Sequence, residues 1–149
     1  MTLLLQSFSI ALFCGALSAL LSFAAYASGI VTAVEIHNDS SQPLELLGTG
    51  IDLNGASPSS FSIAGGERRE LKLAGPRAWF IYGSGPRKCR FVAQHSLQQR
   101  FAQAPRHSYL PVWTREAESI GERRASCKAR LNKTLKAPPY SYSVRFSMS

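Results

Sequence analysis

The sequence predicts an all-β domain: a small antiparallel β-sandwich or barrel of seven or eight strands, held by one disulfide and preceded by a helical signal peptide. Three observations predict it. Beyond residue 28, short apolar runs alternate with turn residues at close spacing. No long stretch there repeats at the helical period. The same part of the chain holds an even pair of cysteines, Cys89 and Cys127.

The first 34 residues contain no charged side chain. Residues 3–25 are mostly Leu, Ala, Phe and Ser, and they lead into Ala25-Tyr26-Ala27, which Ser28 follows. An apolar core that ends in small-x-small is typical of a secretory signal peptide and its cleavage site. We therefore predict a signal peptide over residues 1–27, a single β-sandwich domain over residues 28–149, and a secreted or periplasmic location.

Two other interpretations of this segment stay open. The uncharged run exceeds the roughly 20 residues needed to span a bilayer, and no Lys or Arg precedes its apolar core, so the segment also fits an uncleaved membrane anchor. Lipidation at Cys14 is the other interpretation. It would require a small residue before the cysteine, but Phe13 is bulky and Cys14 lies inside the apolar core.

The first half of the domain contains four predicted strands. Residues 31–37 alternate apolar and polar side chains, and a turn at 38–41 separates them from a strand at 44–47 that continues past a bulge to residue 53. Residues 61–63 and 71–73 flank Gly65-Gly66, and this pattern predicts a hairpin because Gly supplies the positive φ angles that tight turns require.

The other predicted strands follow the same logic. Residues 78–82 are apolar on both faces and predict a central strand. Residues 88–93, 127–131 and 140–148 alternate with a period of two, and the last of these does so most strictly.

Two stretches break this rhythm. Residues 96–104 place Leu97, Phe101 and Ala104 at a helix-like spacing and predict one or two helical turns. Residues 114–126 are charged and nearly without apolar side chains, which predicts a long loop.

Cys89 and Cys127 are best interpreted as one disulfide, because thiols of exported proteins are usually oxidised. Closing a loop of about 38 residues stabilises a fold by about 3–4 kcal/mol in the chain-entropy model. A catalytic cysteine is the less favoured interpretation.

The net charge of +8 is unevenly distributed. Residues 28–66 carry four acidic and no basic side chains, whereas residues 67–149 carry all 17 basic and five acidic ones. Twelve of the 17 cations are Arg, whose planar fork suits carboxylate and phosphate groups. This asymmetry favours an anionic partner, although a basic surface also serves solubility.

If both cysteines face the core, their strand neighbours point to solvent and form a candidate basic patch. The candidate binding residues are Lys88, Arg90, Lys128 and Arg130, with Arg145 joining from the last strand and Arg115, Arg123 and Arg124 from the charged loop. Alternatively, these outward cations only discourage edge-to-edge pairing of strands.

A ribonuclease is the main enzymatic alternative, with a carboxylate–histidine pair as base and acid and Arg holding the phosphate. Its candidate residues are His95, His107 and one of Glu116, Glu118 or Glu122. The sequence lacks the common serine-hydrolase, metalloprotease and phosphate-loop motifs. Its Cys and His residues also lack the spacing of a zinc site, so we expect neither a metal nor a cofactor.

These observations favour a small exported protein that binds and does not catalyse. Its expected partner is an anionic cell-envelope polymer or the acidic surface of another protein, as for an inhibitor or an immunity protein. Nucleic acid is a less favoured partner, and a membrane would be contacted only through an uncleaved N-terminal segment. A structural envelope or surface assembly protein is the third alternative.

Overall fold

The computed structural model describes residues 30–100 and 108–149. The predicted signal peptide lies outside these residues, as does His107. No helix in the described ranges has the length and apolar character that crossing a bilayer requires.

Eight strands and one short 3-10 turn make up the described regular structure. The strands are β1 (Val31–Asn38), β2 (Glu45–Thr49), β3 (Arg68–Ala74), β4 (Arg77–Ser84), β5 (Arg87–Arg100), β6 (Ser108–Ser119), β7 (Cys127–Thr134) and β8 (Tyr142–Met148). The 3-10 turn, Pro58–Phe61, follows an N-cap at Ser57. Most predicted strands therefore exist near their predicted positions.

The strands form two four-stranded sheets, which confirms the predicted all-β sandwich. Sheet 1 has the order β3-β1-β8-β7, and sheet 2 has the order β2-β4-β5-β6. β4 lies between β2 and β5, as its apolar composition on both faces predicts. One pair departs from the antiparallel expectation, because β1 and β8 run parallel. Alternation of side chains is the same in both kinds of pair, so the sequence pattern does not distinguish them.

The core lies between the inward faces of the two sheets. Its fully buried side chains include Val34 and Ile36 of β1, Phe80 and Tyr82 of β4, Phe91 of β5, and Val144, Phe146 and Met148 of β8. Across the interface, the rings of Phe91 and Phe146 stack with centroids 4.8 Å apart. Burial of each such side chain contributes about 1.5–3 kcal/mol. The alternation seen in the sequence of β1 and β8 is thus the alternation between core and solvent.

The predicted disulfide is confirmed, and it joins the two sheets. Cys89 lies on β5 of sheet 2, Cys127 opens β7 of sheet 1, and their Cα atoms are 5.8 Å apart. Cys89 is fully buried, and Cys127 packs against the core. The bond therefore crosses the sandwich from one sheet to the other.

The predicted hairpin at residues 61–73 is wrong. Ile63 forms an isolated bridge with Leu44, and β3 pairs with β1 instead. The buried side-chain amide of Asn38 explains the difference, because it donates to the carbonyl oxygens of Ile63 and Ala64, each at 3.0 Å. Gly66 does take a positive φ of 76°. The chain around this turn, however, hydrogen-bonds to Asn38 at the end of β1 and to Leu44 just before β2.

The helical turn predicted for residues 96–104 and the loop predicted for residues 114–126 are also corrected within the described residues. Residues 96–100 belong to β5, and residues 114–119 belong to β6. These strands pair from Cys89↔Ser119 to Arg100↔Ser108, whereas β4 accompanies β5 only as far as Gln94. The partner strand satisfies the backbone along this ribbon, so strand formation there does not need a strong apolar pattern.

Candidate functional site

The disulfide divides the predicted basic patch between the two outer faces of the sandwich. Lys88 and Arg90 flank Cys89 in sheet 2, and Lys128 follows Cys127 in sheet 1. Because the two cysteines face each other between the sheets, their neighbours on each strand point in opposite directions. Lys88 and Arg90 therefore lie on the outer face of sheet 2, and Lys128 and Arg130 lie on the outer face of sheet 1.

On the outer face of sheet 1, the strand register places the outward side chains in two rows that run from β3 to β7. The first row is Arg68, His37, Ser147 and Lys128, and the second is Glu70, Glu35, Arg145 and Arg130. In the second row the carboxylates occupy β3 and β1, and the cations occupy β8 and β7. Within this second row the charges are therefore separated, with the positive side at β7.

The carboxylate of Glu35, at the centre of this face, contacts four side chains. One carboxylate oxygen, Oε1, lies 2.8 Å from Nε2 of His37 and 3.3 Å from Nη1 of Arg68. The other oxygen, Oε2, accepts from Nε of Arg145 at 3.1 Å and from Nδ2 of Asn132 at 3.4 Å. The hydrogen bond from His37, together with Arg145, lowers the pKa of Glu35 below its usual value despite the opposing effect of burial. Glu35 is therefore held ionised.

Towards β7, positive charge is not balanced in this way. Arg130 and Arg145 lie directly opposite each other on adjacent antiparallel strands, an arrangement that is destabilising for like charges. Arg145 has Glu35 as a counter-ion, but neither Lys128 nor Arg130 forms an ion pair with a described carboxylate. An anion bound between them would relieve this repulsion.

A groove of about 270 Å³ opens at this place. We call it the basic groove, and it is lined by His37, Asp39, Lys128, Arg130, Arg145 and Ser147. Asp39 is the one acidic residue in this lining, and three permanent cations accompany it. Three of the predicted binding residues thus converge on one concave site.

The cations on the outer face of sheet 2 have different neighbours. Arg90 lies directly opposite Glu118 of β6, and the next outward position, Val92, lies opposite Glu116. On its other side Val92 pairs with Trp79, and it is only 3% exposed. The cations of this face therefore neighbour carboxylates and apolar side chains, which makes it a mixed surface.

The predicted loop arginines do not join the basic groove. Arg115 belongs to β6, where it lies opposite Ala93 and is exposed. Arg123 follows β6, and its backbone N–H donates to the carbonyl oxygen of Pro86 at 3.1 Å. Arg123 and Arg87 line a separate shallow depression at the turn between β4 and β5. Arg124, which follows Arg123, is exposed.

The described members of the predicted nuclease set are not brought together. The ring of His95 faces the interior, with its centroid 5.8 Å from that of Tyr142, and burial lowers its pKa. Glu116 and Glu118 lie opposite the outward residues of β5, so they occupy the other side of the sheet. Glu122 lies in the segment between β6 and β7 and is exposed.

Sequence reasoning missed Glu35, His37, Asp39 and Ser147. Their spacing carries a weak indication, because Glu35 and His37 share the polar face of β1 just as Arg145 and Ser147 share that of β8. What joins the two pairs is the parallel register of β1 and β8, which no local pattern encodes.

Within the described ranges, no three His, Cys, Asp or Glu side chains come together in a group that could hold a metal ion. No protein-family model matches the chain, and comparisons with curated proteins and with solved structures find no significant relative. The function of this sandwich must therefore be argued from its own residues.

Proposed function

We propose that this protein is an exported, non-enzymatic binding protein that recognises an anionic partner through the basic groove. The carrying observation is the cross-strand pair Arg130↔Arg145, beside which Lys128 has no ion pair with a described carboxylate. Two guanidinium groups side by side destabilise a sheet, and a bound carboxylate, sulfate or phosphate group would reverse the sign of their contribution. The partner is an envelope polymer or an acidic protein surface.

The proposed export is supported by the uncharged N-terminal sequence and by the disulfide. Disulfides persist in oxidising compartments and are rare in the cytosol.

Retention on immobilised heparin, with elution by a salt gradient, tests the proposal. The chain offers a matched pair of variants, Lys128→Gln with Arg130→Gln in the basic groove and Lys88→Gln with Arg90→Gln on the outer face of sheet 2. Each removes one Lys and one Arg two residues apart on one strand, so both change the net charge equally. We expect the groove variant to elute at clearly lower salt and the sheet 2 variant to elute near the wild-type position.

Circular dichroism and thermal melting would establish that both variants are folded. Equal shifts for the two variants would mean that heparin responds only to net charge, and the proposed site would be rejected. A pull-down from envelope and secreted fractions with the same variants would then identify the natural partner.

A phosphodiesterase that uses His37 is a second candidate, because a carboxylate–histidine pair borders the basic groove. Glu35 would orient the imidazole, and the arginines would hold the phosphate. Binding is favoured over this activity because Glu35 also contacts Arg68 and Arg145, so its carboxylate is not reserved for orienting His37. Cleavage of RNA by the wild type and not by His37→Ala would reverse this preference.

A further inference from the structure

We infer that the basic groove takes a doubly charged tetrahedral oxyanion, the phosphate monoester group of an envelope polymer, seated over the hydroxyl of Ser147. This inference rests on the proposed function, because it names the chemical class of the anion bound there. It follows from the geometry of the groove, its charge, its size and the composition of the surrounding face.

The geometry provides donors around a single point. Lys128 lies opposite Ser147, and Arg130 lies opposite Arg145, so these four residues occupy neighbouring positions on two strands. Positions across the pair are about 5 Å apart and positions along each strand are about 7 Å apart. Ser147 forms no hydrogen bond with a described side chain, and Arg145 uses only its Nε for Glu35. A hydroxyl, an ammonium and two guanidinium groups can therefore converge on one anion.

The charge of the groove suits a dianion. Lys128, Arg130 and Arg145 contribute three positive charges, and Asp39 in the lining removes one. Glu35 is shared among Arg68, Arg145 and His37, so it neutralises Arg145 only in part. A phosphate monoester carries between about −1.5 and −2 at neutral pH, which matches the remaining excess.

The number of donors favours phosphate over carboxylate. A carboxylate has two oxygens, which a single guanidinium fork can satisfy, whereas a phosphate monoester has three terminal oxygens that face different directions. Two forks, one ammonium and one hydroxyl exceed what a carboxylate can accept in one plane. An acidic protein surface, which presents carboxylates, is therefore the weaker match.

The size and composition of the site indicate what carries the phosphate. A volume of about 270 Å³ is below the range of drug-sized pockets and suits a head group. The outward positions of the described sheet 1 strands hold no Phe, Tyr or Trp on which a nucleobase could stack. A sugar phosphate or glycerol phosphate unit fits this face better than nucleic acid does.

The test is a titration of the disulfide-bonded protein followed by backbone amide NMR at pH 7.5 and constant ionic strength. The probes are glycerol 1-phosphate and acetate. We expect glycerol 1-phosphate to bind at least about tenfold more tightly than acetate, with shifts centred on β7 and β8. Co-sedimentation with phosphatidylcholine vesicles that contain phosphatidic acid, and not with phosphatidylcholine alone, would assign the phosphate to a lipid and overturn the polymer source, whereas no co-sedimentation supports that source.

Three variants locate the effect. Arg130→Lys keeps the charge but removes the fork, and Ser147→Ala removes the hydroxyl, and each should weaken glycerol 1-phosphate binding several-fold or more. Arg90→Lys, on the outer face of sheet 2, is the matched control and should leave it unchanged. Equal affinity for acetate and glycerol 1-phosphate, or equal losses for Arg130→Lys and Arg90→Lys, would overturn the inference.

The phosphate site can be rejected without rejecting the proposed function. Groove-dependent retention on heparin without a preference for phosphate would leave the proposed function standing and reject the phosphate site. If neither groove-dependent retention nor a preference for phosphate is observed, both proposals are rejected.

Discussion

The two outer faces of this sandwich carry similar cations in different surroundings. On sheet 2, Arg90 lies opposite Glu118, and the neighbouring outward positions hold Trp79 and Val92. On sheet 1, Arg130 lies opposite Arg145, and the next outward position holds Lys128. On sheet 2 an opposite charge therefore lies across the strand from the arginine, whereas on sheet 1 a like charge does, and an external anion can balance it.

The contrast shows that the cross-strand partner, and not the strand's own sequence, decides what a surface charge does. Both strands follow the same local rule, with a cysteine turned inward and basic residues turned outward. The rule predicts exposure correctly for the basic residues of β7. It does not indicate whether a neighbouring strand presents Glu or Arg.

Breaking the disulfide should have the largest effect, because the bond joins the two sheets and restricts the unfolded chain across a long loop. The variant Cys89→Ser with Cys127→Ser should lose about 3–4 kcal/mol of unfolding free energy in urea, as expected for a loop of 38 residues. Wild-type protein treated with dithiothreitol should show the same loss. An unchanged urea midpoint would show that the core alone holds the sheets together.

Charge reversal should act with opposite sign on the two faces. Arg130→Glu creates a favourable pair with Arg145 and should raise the unfolding free energy by about 0.2–1 kcal/mol, whereas Arg90→Glu faces Glu118 and should lower it by a similar amount. Both variants change the net charge by the same amount, so their difference reports the register. Shifts of the same sign and size in urea unfolding would contradict the contrast between the faces.

Acidification should lower the free energy of unfolding in two separate pH ranges. Burial lowers the pKa of His95, so the unfolded chain takes up that proton first, and stability should fall as the pH drops below about 6.5. His37 and Arg145 lower the pKa of Glu35, so its contribution is complete above about pH 4.5 and is lost as the pH falls through the lower folded value. These are the smallest of the expected effects.

Melting temperatures measured between pH 8 and pH 3 would resolve the two ranges. His95→Gln should remove the fall in melting temperature below about pH 6.5 and keep the fall below about pH 4.5. Glu35→Gln should keep the first fall and remove the second. A single decline that neither variant changes would assign acid sensitivity to other groups.

Where strands lie was largely predictable, because burial on one face imposes a period of two. Tyr142, Val144, Phe146 and Met148 are buried as their alternation predicts. The bulge expected in the second strand lies between Leu46 and Gly48, but the strand ends at Thr49 and does not reach residue 53. Weakly patterned segments were not predictable, because pairing with a neighbour makes residues 96–100 and 114–119 strands whatever their own preference.

The candidate site was predictable only in part. Lys128, Arg130 and Arg145 follow from outward positions on alternating strands, and the structure places them on one groove. Glu35 and His37 lie about 110 residues from Arg145 in the sequence and reach it through the β1–β8 pair. A pairing of such distant segments depends on the whole fold, so no local pattern could have revealed it.

The amino-acid sequence alone was enough to predict a small β-sandwich or barrel, the core-facing residues of its strictly alternating strands, and the bond between Cys89 and Cys127. Each of these follows from alternation or from the chemistry of one residue type. Which charges meet depends on the folded arrangement, because strand order and register bring distant segments side by side. The crossing disulfide turns Lys88 and Arg90 away from Lys128 and Arg130, and the parallel pairing of β1 with β8 places Glu35 beside Arg145.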